Sequence, residues 1–562
     1  ENACFHVMFR SMDGTCNNFK NPSWGAAFTP MINTLPPQWV NAIGMHIEDA
    51  RPTARRVSEL VLQSDRLIHS NDFNAMLMQW GQFISHDMVK TTLYNSADCT
   101  DFPCPSRFEA QGLGRCLLMP SDPLDPLVDP RFGCENSTGP CCMKGQKGVP
   151  VCGSGINGRE KQYLNENTVF LDGSQVYGSS LPDMELFRDG SSGFMKMDFI
   201  VPKGLPQFNR TNCSDASNCN AVHLQTGDMR SNVFLGLASL HTIFAREHNR
   251  LVQELTEINP QWNSEKTFQE ARKIVGAEIQ IITYRDWLPK VFGPHNFRRF
   301  IGQYEGEYNP TVDPTISTEV AGAGLRFGHG MITEFYPMIA ENGSEIGGLE
   351  FDDTVLSSDR LITINGAIDL LIRGMLLVPA KFPQRLSVSP SNGLFGTQDL
   401  AALNVQRGRD MGIPPYNEWR RFCGLAPART FDDFRPEIRD PAVVRRLADQ
   451  YRSVDDVDLY VGGLLEEPTG GALIGPTLAC LLGRQFRRTR LGDRHWFERP
   501  GVFNPEQRSQ LRAVSLAKIL CNNAADLRRV PHDAFQTLPL AEWSSCSRLA
   551  DVHLGAWTDF HP

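Results

Sequence analysis

Five long stretches of the chain repeat apolar residues every three or four positions: Asn71 to Lys90, Ser231 to Ile258, Thr267 to Leu288, Arg360 to Leu377 and Glu506 to Asn522. That period stacks apolar side chains along one face of an α-helix, so the pattern predicts a mainly α fold. In the second stretch Val233, Leu237, Leu240, Phe244, Leu251 and Leu255 trace the face. Ser231 or Asn232 can cap its start, and Asn259-Pro260 ends it. Strand-like alternation is sparse and short. The segment from Asp98 to Arg159 is rich in Gly and Pro and is expected to be loop. No internal repeat, low-complexity tract or polar linker divides the sequence. Residues 1–562 therefore read as one domain, with 99–158 as a Cys-, Gly- and Pro-rich loop segment inside it.

Composition changes this picture little, since 41% hydrophobic and 21% charged residues are ordinary globular usage. A formal charge of −9 lacks the basic surface that nucleic acid or an anionic membrane requires. No apolar run reaches the length of about 18 residues that a membrane span needs. Cysteine alters the picture more. Seven of the 15 (Cys99, Cys104, Cys116, Cys134, Cys141, Cys142 and Cys152) crowd the Gly/Pro-rich segment. Such crowding reads as disulfide stapling in an oxidising compartment. Zinc is the rival reading, but paired C-x-x-C knuckles with histidine partners are missing. Sequons at Asn136, Asn209, Asn212 and Asn342 agree with a secretory route, so a secreted, extracellular glycoprotein is expected. The sequence opens at Glu1 without initiator Met or apolar leader, read as a signal peptide already removed or left out.

Three constellations carry candidate chemistry. In Met78 to Asp87, Gln82 and His86 are four apart, one turn above each other on a helix face, while Asp87 points elsewhere. A neutral imidazole beside an amide suits peroxide cleavage: the base takes a proton from one oxygen and returns it to the other. The second constellation pairs Gly324 to His329 with Ala402 to Asp410. Haem iron wants a neutral axial imidazole whose other ring nitrogen meets a hydrogen-bond acceptor, which the Asn404 carbonyl could supply. Arg326, with Arg407 or Arg409, is suited to haem propionates, because guanidinium presents fixed paired donors to a carboxylate. The third is Thr168 to Gly178, where Thr168, the Phe170 carbonyl, Asp172 and Ser174 can present oxygen to one hard cation; this favours calcium.

Taken together these stretches resemble the animal haem peroxidases of the peroxidase–cyclooxygenase superfamily. The resemblance runs from Cys4 to about Trp557, through Ala54 to Ser58, Thr242 to Arg250, Ala271 to Gly276, Ile281 to Asp286 and Tyr416 to Gly424. It implies a single, mostly helical domain holding haem b between core helices. His86 is then the distal base, Gln82 its neighbour, Arg230 the distal arginine, and His329 the iron ligand hydrogen-bonded to Asn404. Asp87, Thr168, Phe170, Asp172 and Ser174 match the family's calcium site. Family pattern further implies disulfides Cys4 to Cys16, Cys423 to Cys480 and Cys521 to Cys546, while short spacing suggests Cys213 to Cys219. The seven cysteines left are an odd number. One of them, with the adjacent pair Cys141 and Cys142 as a candidate, is expected to be free or to bridge to a disulfide-linked or matrix partner.

Two departures bear on function. Myeloperoxidase-like members esterify the haem through an aspartate before the distal histidine and a glutamate three residues after the distal arginine; here these positions are Ser85 and Val233. The methionine joined to haem at the next position is Phe234. The expected activity is reduction of hydrogen peroxide with oxidation of phenols, tyrosine, iodide or thiocyanate, and little chloride oxidation. One alternative is a fatty-acid dioxygenase of the cyclooxygenase type, whose radical tyrosine three residues before the proximal histidine is here Arg326. The other is an adhesion or matrix protein that keeps the fold.

Overall fold

The computed structural model describes residues 7–39, 51–64, 66–95, 115–121, 125, 141–155, 159–190, 192–209, 213–215, 218–219, 222–303, 308–396 and 398–559. The fold is mainly α. Buried apolar residues from Met12 to Trp557 pack as one cluster, and the strands form small two-stranded antiparallel sheets among the described residues.

Strand β1 (His69–Asn74) leads directly into α1 (Ala75–Met88). Asn74 joins them: its Oδ1 accepts from the Met76 N–H, and its Nδ2 donates to the carbonyls of Leu376, Ala534 and Gln536. This satisfies one of the four free N–H groups at the helix start. The expected helix thus begins at Ala75, because residues 69–74 pair with a later strand instead. Trp80 and Phe83 on α1 pack on Phe244 of α2 (Leu235–Ile258), with ring centroids 5.7 and 4.9 Å apart. Gly81 lets α1 close on Trp287, since a Cβ there would lie 3.0 Å from the indole. Truncating a buried aromatic of this kind costs about 3–5 kcal/mol.

α3 (Ser264–Ile281) passes into a wider π turn at Ile282–Trp287. The predicted helix from Arg360 to Leu377 is two, Arg360–Thr363 and α4 (Ala367–Leu377), because Gly366 takes φ +71° between them. Likewise Glu506 to Asn522 divides into Pro505–Leu511 and Leu516–Asn523, the second restarted by a Ser515 cap. Asp98 to Arg159 is not all loop: Cys116–Ser121 and Cys141–Gln146 pair antiparallel, with Leu117, Met119 and Met143 buried.

Disulfides Cys423–Cys480 and Cys521–Cys546 are present as expected. Cys16 is disulfide-bonded, and its expected partner Cys4 lies outside the described residues. Cys213 and Cys219 are register partners across a strand pair. Cys142 is disulfide-bonded, so it is not the unpaired cysteine; the free thiol among the described residues is exposed Cys152. No helix among them is long and apolar enough to cross a membrane.

Candidate active site

A cavity of roughly 800 Å³ opens between α1 and the 3-10 helix Gly324–Met331. Gln82 and His86 line one wall and His329 the other, with apolar surface from Met78, Phe234, Leu325, Phe327, Met331 and Leu403 between. Residues separated by 243 positions are thus brought face to face across one space.

On the α1 side, Gln82 Oε1 accepts from Gln79 Nε2 at 3.0 Å. His86 Nδ1 is buried with no hydrogen-bond partner among the described residues. Burial and then the Arg230 charge push His86 well below its ordinary value, so the ring is a neutral base. Arg230 also lines the cavity, although it is not free: Nε meets Asp228 Oδ1 at 2.9 Å and Nη2 donates to the Val89 carbonyl at 2.7 Å. Against the cost of burial, the Arg230 guanidinium holds Asp228 well below the usual carboxylate range. Asn167 Nδ2 donates to the His86 carbonyl and contacts Asp228 Oδ2 at 3.3 Å. Neither Asn167, next to Thr168, nor Asp228, two before Arg230, is marked by a motif in the sequence. Their chemistry is positional, which adjacency alone does not reveal.

On the opposite wall, Asn404 of α5 (Leu400–Asp410) lies 2.7 Å from His329 Nδ1, as expected. The polarity differs from expectation. Arg326 Nη1, which can only donate, takes the Asn404 Oδ1 at 2.8 Å, so the amide nitrogen faces Nδ1; the tautomer that leaves Nε2 free for iron carries its proton on Nδ1 and needs the amide turned over, with Oδ1 accepting from Nδ1–H. Burial, then Arg326, lowers His329 to about 3, and the ring is neutral. No hydrogen bond holds Nε2 among the described residues. Arg326 and Arg407 both line the cavity; Arg407 is steadied by Asp410 at 2.9 Å and the Gln146 carbonyl at 2.6 Å. Arg409 turns away from the cavity to Asp458 and Pro52. An unengaged imidazole nitrogen, apolar walls and two cations fit a flat apolar group with anionic tails.

Beneath His86, Asp87 is buried on the far side of α1. Its Oδ1 accepts from Ser174 Oγ and N, both at 2.7 Å, and Thr168 Oγ1 reaches Asp172 Oδ1 at 3.0 Å and the Phe170 carbonyl at 3.5 Å. Five oxygen-bearing groups converge here. Burial and the nearby Asp172 raise Asp87 well above the usual carboxylate range, a repulsion that a divalent cation would relieve. Of the sequons, Asn209 and Asn342 are exposed, Asn342 in the turn after Phe335–Ile339; Asn136 and Asn212 lie outside the described residues.

The fold and this site define a haem-binding oxidoreductase, and comparison agrees. The sequence pattern of the animal haem peroxidases matches residues 9–535, and the chain belongs to that family. It is a haem-dependent peroxidase. Over 560 residues it is 43% identical to peroxidase mlt-7 of Caenorhabditis elegans, covering 99% of this chain and 74% of that protein. The structure of peroxidase A from Dictyostelium discoideum superposes with TM-score 0.79 at 29% identity, covering 94% of this chain and 99% of that one. A fatty acid alpha-dioxygenase from Arabidopsis thaliana matches with TM-score 0.75 at 18% identity, covering 96% and 85%, a likeness of fold alone.

Proposed function

We propose that the cavity holds haem b with His329 Nε2 on the iron, Arg326 and Arg407 at the propionates, and no ester link. The observation that carries this reading is the facing pair His86 and His329 across one apolar cavity. When bound, the haem supplies an iron that takes up the two oxidising equivalents of hydrogen peroxide and hands them on to donors. His86 takes the proton from the inner peroxide oxygen and delivers it to the outer one, which leaves as water. Gln82 orients the incoming molecule, and the Arg230 charge favours the departing anionic oxygen. Asn404 and Arg326 keep the His329 ring in place from behind.

The same reading makes residues 1–562 one secreted, glycosylated domain that binds calcium through Asp87, Thr168, Phe170, Asp172 and Ser174. Its donors are small: phenols, tyrosine, iodide and thiocyanate. Steady-state turnover with peroxide over chloride, bromide, iodide, thiocyanate and tyrosine tests this. We expect iodide, thiocyanate and tyrosine to be consumed and chloride to be nearly inert. Chloride turnover matching that of iodide would defeat the donor assignment, and absence of any Soret band would favour the adhesion reading.

A further inference from the structure

Lys381 ends β2 (Pro379–Lys381), which pairs antiparallel with β1: Pro379 faces Asn74, the cap of α1, and Lys381 faces His69. Its side chain turns inward and is 1% exposed. No carboxylate pairs with it among the described residues. Instead Nζ donates to three main-chain carbonyls, those of Gly330, Phe382 and Arg385. Three acceptors match the three N–H bonds of an ammonium. Burial and then the Arg385 charge push Lys381 down to about 7, with the Glu334 charge opposing them, and the three carbonyls take the N–H bonds of the ammonium form. A buried cation with no carboxylate in direct contact among the described residues is expensive, and an apolar side chain would fill the space at lower cost.

The cage sits at one particular place. Gly330 follows His329 directly, and a Cβ there would lie 2.0 Å from the Pro383 carbonyl, so residues 381–385 wrap tightly on the end of the histidine-bearing helix. Ser387 Oγ adds a bond to the Ile332 carbonyl at 3.0 Å, and the Ala75 N–H at the start of α1 bonds the Val378 carbonyl at 2.8 Å. One short strand is therefore fastened to the helix of His86 at one end and to the residue after His329 at the other.

We propose that Lys381 is a positioning residue: its ammonium pins the Gly330 carbonyl and so fixes how the His329 ring meets the iron. This rests on His329 being the iron ligand. The holoprotein, Lys381→Met and Lys381→Gln are compared by resonance Raman of the ferrous iron–histidine stretch, by ferric/ferrous midpoint potential and by the rate with peroxide. Both variants should fold and bind haem, show a displaced and broadened iron–histidine band and a more negative midpoint, and react about ten- to a hundredfold more slowly. A band and midpoint equal to the parent's in either variant would overturn the proposal. So would failure of both to fold, since Lys381 would then serve the fold and not the ligand. An iron–histidine band that survives in His329→Gly would strike the ligand assignment itself, independently of Lys381.

Discussion

Single side chains decide how the haem is held. Ser85 and Val233 both line the cavity, and neither has a carboxylate to esterify. Among the described lining residues Glu166 is the one carboxylate, and it is paired with Lys90 at 2.8 Å. Retention then rests on the His329 bond, the arginine pairs and burial of the porphyrin faces. Acid-acetone should extract free haem from the polypeptide. Haem that stays attached through denaturation, mapped as a peptide adduct by mass spectrometry, would refute this, and loss of the adduct in Glu166→Gln would locate the link. At this scale the sequence was legible wherever a residue type is tied to its chemistry, as with His86, His329 and the missing carboxylates. It was illegible where partners compete. Asn404 reads as an acceptor for His329, yet Arg326 claims its oxygen, and no motif marks Lys381, whose three carbonyl partners are brought to it only by the fold.

At the scale of elements, α1 carries the proposed chemistry on one face and the proposed calcium site on the other. Asp87 adjoins His86, and its buried carboxylate is raised above the usual range by burial and by the charge of Asp172, which is itself raised by burial against the pull of Arg10 and Arg272. Calcium would convert that repulsion into a clamp on the helix. We expect about one calcium per chain from carefully prepared protein, and expect Asp172→Ala to lose it and to weaken haem retention as α1 loosens. Metal analysis finding none in the parent protein would contradict this. Periodicity located α1 to α4 but overran their ends. An apolar face continues through a break as long as the pieces share a core, so Gly366 and the Ser515 cap are invisible to it. Residues 71–74 of the strand His69–Asn74 fall inside the periodic stretch for a similar reason, the pairing with residues 379–381 being a tertiary event.

The whole molecule is stapled by disulfides and leaves a thiol at its surface. With the other eight cysteines paired as the family pattern and short spacing imply, an odd count leaves one unpaired in the Gly/Pro-rich segment, and among the described residues Cys152 is exposed and free where Cys142 is bonded. We expect Cys152 to take up alkylating reagent without prior reduction, and to yield disulfide-linked species on non-reducing gels that Cys152→Ser does not form. A Cys152 resistant to alkylation in the unreduced protein would show that it has a partner. The count was legible because parity is a global constraint; which thiol remains was not, because pairing depends on distances that spacing does not encode.

The facing histidines remain the centre of this account. Stopped-flow spectra of haem-loaded His86→Ala mixed with hydrogen peroxide test it most directly, with His329→Ala as the companion that should fail to retain haem. Loss of the acid-base group should slow the peroxide reaction by about a hundred- to ten-thousandfold while the haem stays bound. Because His86 is held neutral well below its ordinary value, the parent rate should persist as pH falls past 6.5 and decline only in stronger acid. A His86→Ala protein that retains haem and reacts with peroxide at the parent rate would contradict the assignment of His86 as the base.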